Sequence, residues 1–119
     1  MVEWELTMGI STHILDTARG CPASGVPVTL ARLINGTWSL LNDDHTDADG
    51  RCKQLLPPNH QLQPGVYRIH FATAFYYEQQ KLQGLYPFVE IAFVVADSEQ
   101  HFHIPLLLTA NGYTTYRGS

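Results

Sequence analysis

The chain has 119 residues, 45% hydrophobic and 15% charged, which suits one domain with a two-layer core. Its formal charge is −4 and its seven basic residues are scattered, which argues against a nucleic-acid surface. No stretch approaches the ~20 apolar residues that a membrane-spanning helix needs.

Taken in chain order, "MVEWELTMG" carries two glutamates and no basic n-region, so a cytoplasmic protein without a secretory leader is expected. Residues 1–7 read as an extension and 8–119 as the domain. Strands are expected at Gly9–Thr17, Val28–Ile34, Ser39–Asn42, Cys52–Leu56, Val66–Phe75, Phe88–Val95, His101–Thr109 and Tyr113–Arg117. Between them stand the turn signals "RGCPASGVP", "NGT", "DADG", "QPG", "QGLYP" and "ANG", recurring about every eight to twelve residues. The segment "YYEQQKLQG" has helix formers and a closing glycine, so it predicts one short helix. The sum is an all-β antiparallel sandwich of about eight strands with Greek-key crossings. Cys21 and Cys52 permit one disulfide but do not demand it. The segment "DHTDADG" has the outline of a calcium loop, yet Leu56 stands where the closing glutamate belongs, so an acidic turn is expected.

Six histidines in so short a chain are the unusual feature. Side chains alternate faces along a strand. In "HFHIPLLL", Phe102, Ile104, Leu106 and Leu108 make one apolar stripe, which leaves His101, His103, Pro105 and Leu107 on the other face. In "GISTHILD", Ile10, Thr12 and Ile14 share a face, and Ser11, His13 and Leu15 share the opposite one. If the isoleucines point inward, His13, His101 and His103 all lie on an outer sheet surface, where core packing does not explain them. His45, His60 and His70 read as ordinary surface residues.

The ending "TTYRGS" after "HFHIPLLL" resembles that of the transthyretin-related proteins, on their branch of 5-hydroxyisourate hydrolases. "ISTHILDTARGCPASGVPVTLARL", "TDADGR" and "YPFVEIAFVV" are similar to that family's first strand and loop, its arginine-bearing turn and its sixth strand. The strand "YRIHFATAFYY" departs from many relatives in carrying Ala72, and the loop "NDDHTDADGR" looks longer or more acidic than usual. The resemblance implies a transthyretin-like fold with His13, Arg51 and His103 as the catalytic group. It further implies that His101, Tyr116 and Ser119 line the same substrate pocket. It also implies a homotetramer, a dimer of dimers, with sites where outer sheet faces of different dimers meet, and no cofactor.

Ring-opening hydrolysis needs a base for water, a counter-charge for the oxyanion and a proton for the leaving nitrogen. Histidine suits the proton steps and arginine the charge. On this reading His13 is the base, with Arg51 as the neighbouring cation that disfavours a second positive charge. His103 orients water or protonates the leaving nitrogen, and residue types alone leave base and acid interchangeable. Two alternatives remain beside it: a three-histidine zinc hydrolase using His13, His101 and His103, and a non-catalytic carrier of an apolar ligand.

Overall fold

A computed structural model describes residues 9–118; the expected extension, Met8 and Ser119 lie outside the described residues. Among the described residues, nine strands and one helix follow in chain order: β1 Gly9–Asp16, β2 Cys21–Pro22, β3 Pro27–Ile34, β4 Thr37–His45, β5 Arg51–Cys52, β6 Gly65–Phe71, α1 Thr73–Gln79, β7 Val89–Val95, β8 His101–Thr109 and β9 Gly112–Thr115. They form two sheets. One runs β2-β1-β8-β9, with β5 also paired to β1, and the other runs β4-β3-β6-β7.

The two inner faces make the core. Ile10, Ile14, Phe102, Ile104, Leu106 and Leu108 from the first sheet meet Val28, Leu30, Tyr67, Ile69, Phe71, Val89 and Val95 from the second. Each is buried, and each large apolar side chain contributes roughly 1.5–3 kcal/mol by leaving water. Thr12 shares this inner face, and its hydroxyl is satisfied by donating to the Ile104 carbonyl at 2.6 Å. The alternation expected for β1 and β8 therefore holds, and it sends Ser11, His13, His101 and His103 to the outside.

Not every pairing is antiparallel. β1 runs parallel to β8 along its whole length, from Gly9 opposite His101 to Asp16 opposite Leu108. Parallel neighbours cannot be joined by a hairpin, so the partner of β1 comes from the far end of the chain. The β3–β4 hairpin turns on Asn35 (φ 51°) and Gly36 (φ 78°), the left-handed pair that a two-residue hairpin demands.

Several elements differ from expectation: β2 is not among the expected strands, β4 runs Thr37–His45 rather than Ser39–Asn42, and β9 runs Gly112–Thr115 rather than Tyr113–Arg117. The strand expected to reach Phe75 stops at Phe71, because Thr73–Phe75 already form the first turn of α1. The helix lies earlier than "YYEQQKLQG" and closes at Gln80, where Lys81 turns left-handed (φ 57°) and the Leu82 amide caps the Tyr77 carbonyl at 2.9 Å. The strand expected over Cys52–Leu56 is only Arg51–Cys52, since Leu55 turns inward with its amide donating to the Ile10 carbonyl at 2.9 Å. Helix α1 is tied to β1 by the Tyr76 hydroxyl, which donates to buried Asp16 at 2.7 Å.

Candidate active site

The outer face of the first sheet gathers the functional side chains in rows set by register. In one row His13 of β1 is flanked by Arg51 of β5 and by Pro105 of β8. In the next, Ser11 is paired with His103, and His103 bridges in turn to Gly118 of the tail. The β8–β9 ladder sets Thr115 opposite Leu106, and the bridge sets Gly118 opposite His103, so Tyr116 falls opposite Pro105 in the row of His13.

The turn before Arg51 is built to hold it there. The Asp47 carboxylate accepts the Asp49 amide at 2.8 Å and the Arg51 amide at 3.0 Å, and the latter bond leads in holding its pKa below the ordinary carboxylate value. Gly50 has φ +74° and sits against β1, where its carbonyl accepts the Ile14 amide at 2.8 Å. A Cβ at Gly50 would stand 2.5 Å from the Ile14 carbonyl oxygen. The acidic turn is thus an arginine seat. The Arg51 side chain is exposed, and among the described residues no carboxylate lies within ion-pair distance of it.

The two β8 imidazoles share one hydroxyl. Ser11 Oγ lies 2.8 Å from His101 Nε2 and 2.7 Å from His103 Nδ1. Both rings are half-buried, and burial is the first cause that lowers each pKa below the usual imidazole value. For His103 the Arg51 cation adds to that, followed by His101 and His13; for His101 the second cause is Arg117. His103 is therefore held neutral at a pH where a solvated histidine would be partly charged.

The tail is fastened beside these rings. The Gly118 amide donates to the His103 carbonyl at 2.8 Å, and a Cβ on Gly118 would come within 2.6 Å of His103 Cδ2. Arg117 donates to Gln100 Oε1 at 2.9 Å and to the His101 carbonyl at 3.1 Å, with its guanidinium 4.2 Å over the Phe102 ring. The Thr115 hydroxyl donates to the Pro105 carbonyl at 2.8 Å. These contacts leave Tyr116 55% exposed, available to a ligand rather than spent on packing.

Of the expected site residues, His13, Arg51, His101, His103 and Tyr116 share this face, and Ser119 lies outside the described residues. Ser11, Arg117 and Gly118 were not singled out from sequence. Alternation had put Ser11 on the face of His13, but only the parallel register brings it between the two β8 imidazoles. No group of three His, Cys, Asp or Glu side chains among the described residues is disposed to hold a metal ion. The nitrogens that the His-x-His pair turns toward each other are occupied by the Ser11 hydroxyl. Both cysteines are free, and burial leads in pushing the Cys52 thiol up to about 12, which makes it inert. Among the described residues no helix is long and apolar enough to cross a membrane.

The HIUase/Transthyretin family matches residues 10–118. The chain belongs to that family. A 5-hydroxyisourate hydrolase of Mus musculus is 44% identical over 112 residues, covering 92% of this chain and 94% of the mouse protein. Among solved structures, the 5-hydroxyisourate hydrolase of Klebsiella pneumoniae superposes with a TM-score of 0.80 at 35% identity, covering 92% of this chain and 98% of that one. Sea bream transthyretin, solved in complex with thyroxine, superposes with a TM-score of 0.85 at 29% identity, covering 92% and 93%. Backbone shape thus fits both branches of the family, and side chains must separate them.

Proposed function

We propose that the chain hydrolyses 5-hydroxyisourate, opening its six-membered ring to 2-oxo-4-hydroxy-4-carboxy-5-ureidoimidazoline in urate degradation. The observation that carries this reading is the meeting of His13, Arg51 and a neutral-held His103 on one face, in a chain 44% identical to a hydrolase of that name. A carrier of an apolar ligand calls for an aliphatic lining, and this face is lined by imidazoles and a guanidinium.

The chemistry follows from the groups present. Water attacks the ring carbonyl while His13 takes its proton. The oxyanion that forms is stabilised by the Arg51 guanidinium, a permanent cation with a planar fork of donors. The C–N bond then breaks, and the leaving ring nitrogen takes a proton from the His13 imidazolium. His101, Tyr116 and Ser119 contact the substrate around this centre. General acid–base catalysis supplies roughly 10²–10⁴-fold, enough for a ring that also opens slowly unaided. No metal or organic cofactor enters the scheme.

One sheet face is open to solvent, whereas ligand sites are concave. The reading therefore includes a homotetramer, a dimer of dimers, in which outer faces of different dimers close on each other and closed symmetry repeats the site. The free thiols support a cytoplasmic setting. The test is to follow 5-hydroxyisourate decay in the near ultraviolet with and without the protein, while sedimentation reports the assembly. Faster decay by a tetramer is expected. Decay at the buffer rate would refute the activity.

A further inference from the structure

The shared hydroxyl at Ser11 decides a question that residue types leave open. A serine hydroxyl has one proton to donate and lone pairs with which to accept. Between two neutral imidazoles it donates to one ring nitrogen and accepts from the other. Only two arrangements satisfy both contacts at 2.7 and 2.8 Å. In the first, Ser11 donates to His101 Nε2 and accepts from His103 Nδ1–H, which puts the His101 proton on Nδ1. In the second, His101 Nε2–H donates to Ser11, and Ser11 donates to His103 Nδ1, which puts the His103 proton on Nε2.

The surroundings of His101 choose between them. Its Nδ1 is buried and has no hydrogen-bond partner among the described residues. The first arrangement would strand an N–H there; the second leaves only a lone pair. Orphaned buried N–H groups are the rarer defect, and an unmade hydrogen bond at a buried donor costs its full desolvation. The second arrangement is therefore favoured.

We propose that Ser11 is a positioning residue: together with His101 it holds His103 as the neutral tautomer protonated at Nε2, so that His103 donates a hydrogen bond to the oxyanion and leaves the base role to His13. The ring is also fixed in orientation. Nδ1 is engaged by Ser11 and Cδ2 lies against Gly118, which leaves Nε2 as the nitrogen with no protein partner among the described residues. His103 in this state cannot accept the proton of water, because its lone pair is already occupied by Ser11. Nor does it give its proton away, which would create an imidazolate. A neutral imidazole used this way polarises a carbonyl instead. Burial and the Arg51 cation both oppose a second proton on the ring. Proton balance is kept by His13, which takes one proton from water and returns one to the ring nitrogen.

The role in the reaction rests on the hydrolase reading above, but the tautomer does not, so the two can fail separately. The experiment is ¹⁵N–¹H correlation spectroscopy of the imidazoles in the intact, histidine-labelled protein at a pH where all histidines are neutral, with signals assigned by single His→Gln variants. His101 and His103 are both expected as Nε2–H tautomers. In Ser11→Ala, His103 should become a mixture of tautomers, with kcat down about tenfold, the scale of one lost hydrogen bond, and KM little changed. Ser11→Thr, which keeps the hydroxyl, should restore the single tautomer and the rate. Wild-type His103 found as Nδ1–H would overturn the proposal, whether or not Ser11→Ala folds. So would a Ser11→Ala protein that keeps the single Nε2–H tautomer and full kcat. A wild type with the expected tautomers and no effect on 5-hydroxyisourate would sink the hydrolase reading and, with it, the role of His103 in the reaction.

Discussion

The outer faces of the two sheets both carry histidine and arginine, and they treat them differently. On the second sheet, His70 Nδ1 lies 3.0 Å from Glu90, Arg68 lies 3.6 Å from the same carboxylate, Arg68 also sits 4.4 Å over the Trp38 ring, and His70 stacks on Phe88 at 5.1 Å. His70 and Arg68 there each have both a counter-charge and an aromatic face. On the first sheet, His101 and His103 share one neutral hydroxyl, and Arg51 has no carboxylate within ion-pair distance among the described residues. The contrast separates charge that is already matched within the fold from charge left for a ligand. An unmatched cation beside neutral-held imidazoles is a state that a folded surface gains nothing from unless something binds there.

That contrast can be broken by substitution on the two faces in parallel. His13→Ala should lower kcat by roughly 10²–10⁴-fold as a lost general base and His103→Ala by roughly 10²–10³-fold as a lost oxyanion donor, with melting temperatures near wild type. His70→Ala should leave the rate unchanged, since its partners are structural. If both site variants keep near-full rate in the decay assay, the assignment of the first sheet fails.

A subtler cut leaves every polar group in place. Gly118→Ala would press a methyl on His103 Cδ2, a contact of 2.6 Å unless the tail or ring shifts. Because a small misplacement of a reacting group is costly to rate, kcat should fall about tenfold or more, while thermal unfolding changes little at this edge position. An unchanged kcat would show that the tail does not hold the ring.

The smallest expected effect is on stability against pH. His101 and His103 have folded-state pKa values below the ordinary 6.5, so between those values and 6.5 the unfolded chain binds more protons than the folded one. Stability conferred by the neutral rings is complete above pH 6.5 and declines as pH falls through that window. Urea unfolding at a series of pH values should show this decline in wild type and a shallower one in His103→Gln. The His103 imidazole signals should likewise keep their neutral-state positions below the usual imidazole midpoint.

Much of this site was legible because alternation is a local rule. Phe102, Ile104, Leu106 and Leu108 mark the parity of β8, whereas β1 has Leu15 beside His13 as well as Ile10 and Ile14 opposite it, and the burial of the two isoleucines decides its parity. The role of Ser11 was not legible, since its contacts reach 90 and 92 residues along the chain and depend on the parallel register of β1 against β8. Nothing local marks a strand as parallel. The truncated β5 escaped for a related reason: Leu55 and Leu56 look like strand residues because they are apolar, yet they reach the core from outside any strand. Resemblance alone points to Arg51, and the structure shows what fixes it opposite His13: the Asp47 carboxylate and the glycine that lets the turn press on β1.

The most direct test sets the two arginines side by side. The near-ultraviolet decay of 5-hydroxyisourate is measured with wild type, Arg51→Ala and Arg68→Ala at equal concentration. The account expects Arg51→Ala to lose about 10²–10³-fold in kcat, the scale of one oxyanion donor, and Arg68→Ala to match wild type. Equal rates for the two variants, or a loss confined to Arg68→Ala, would contradict it.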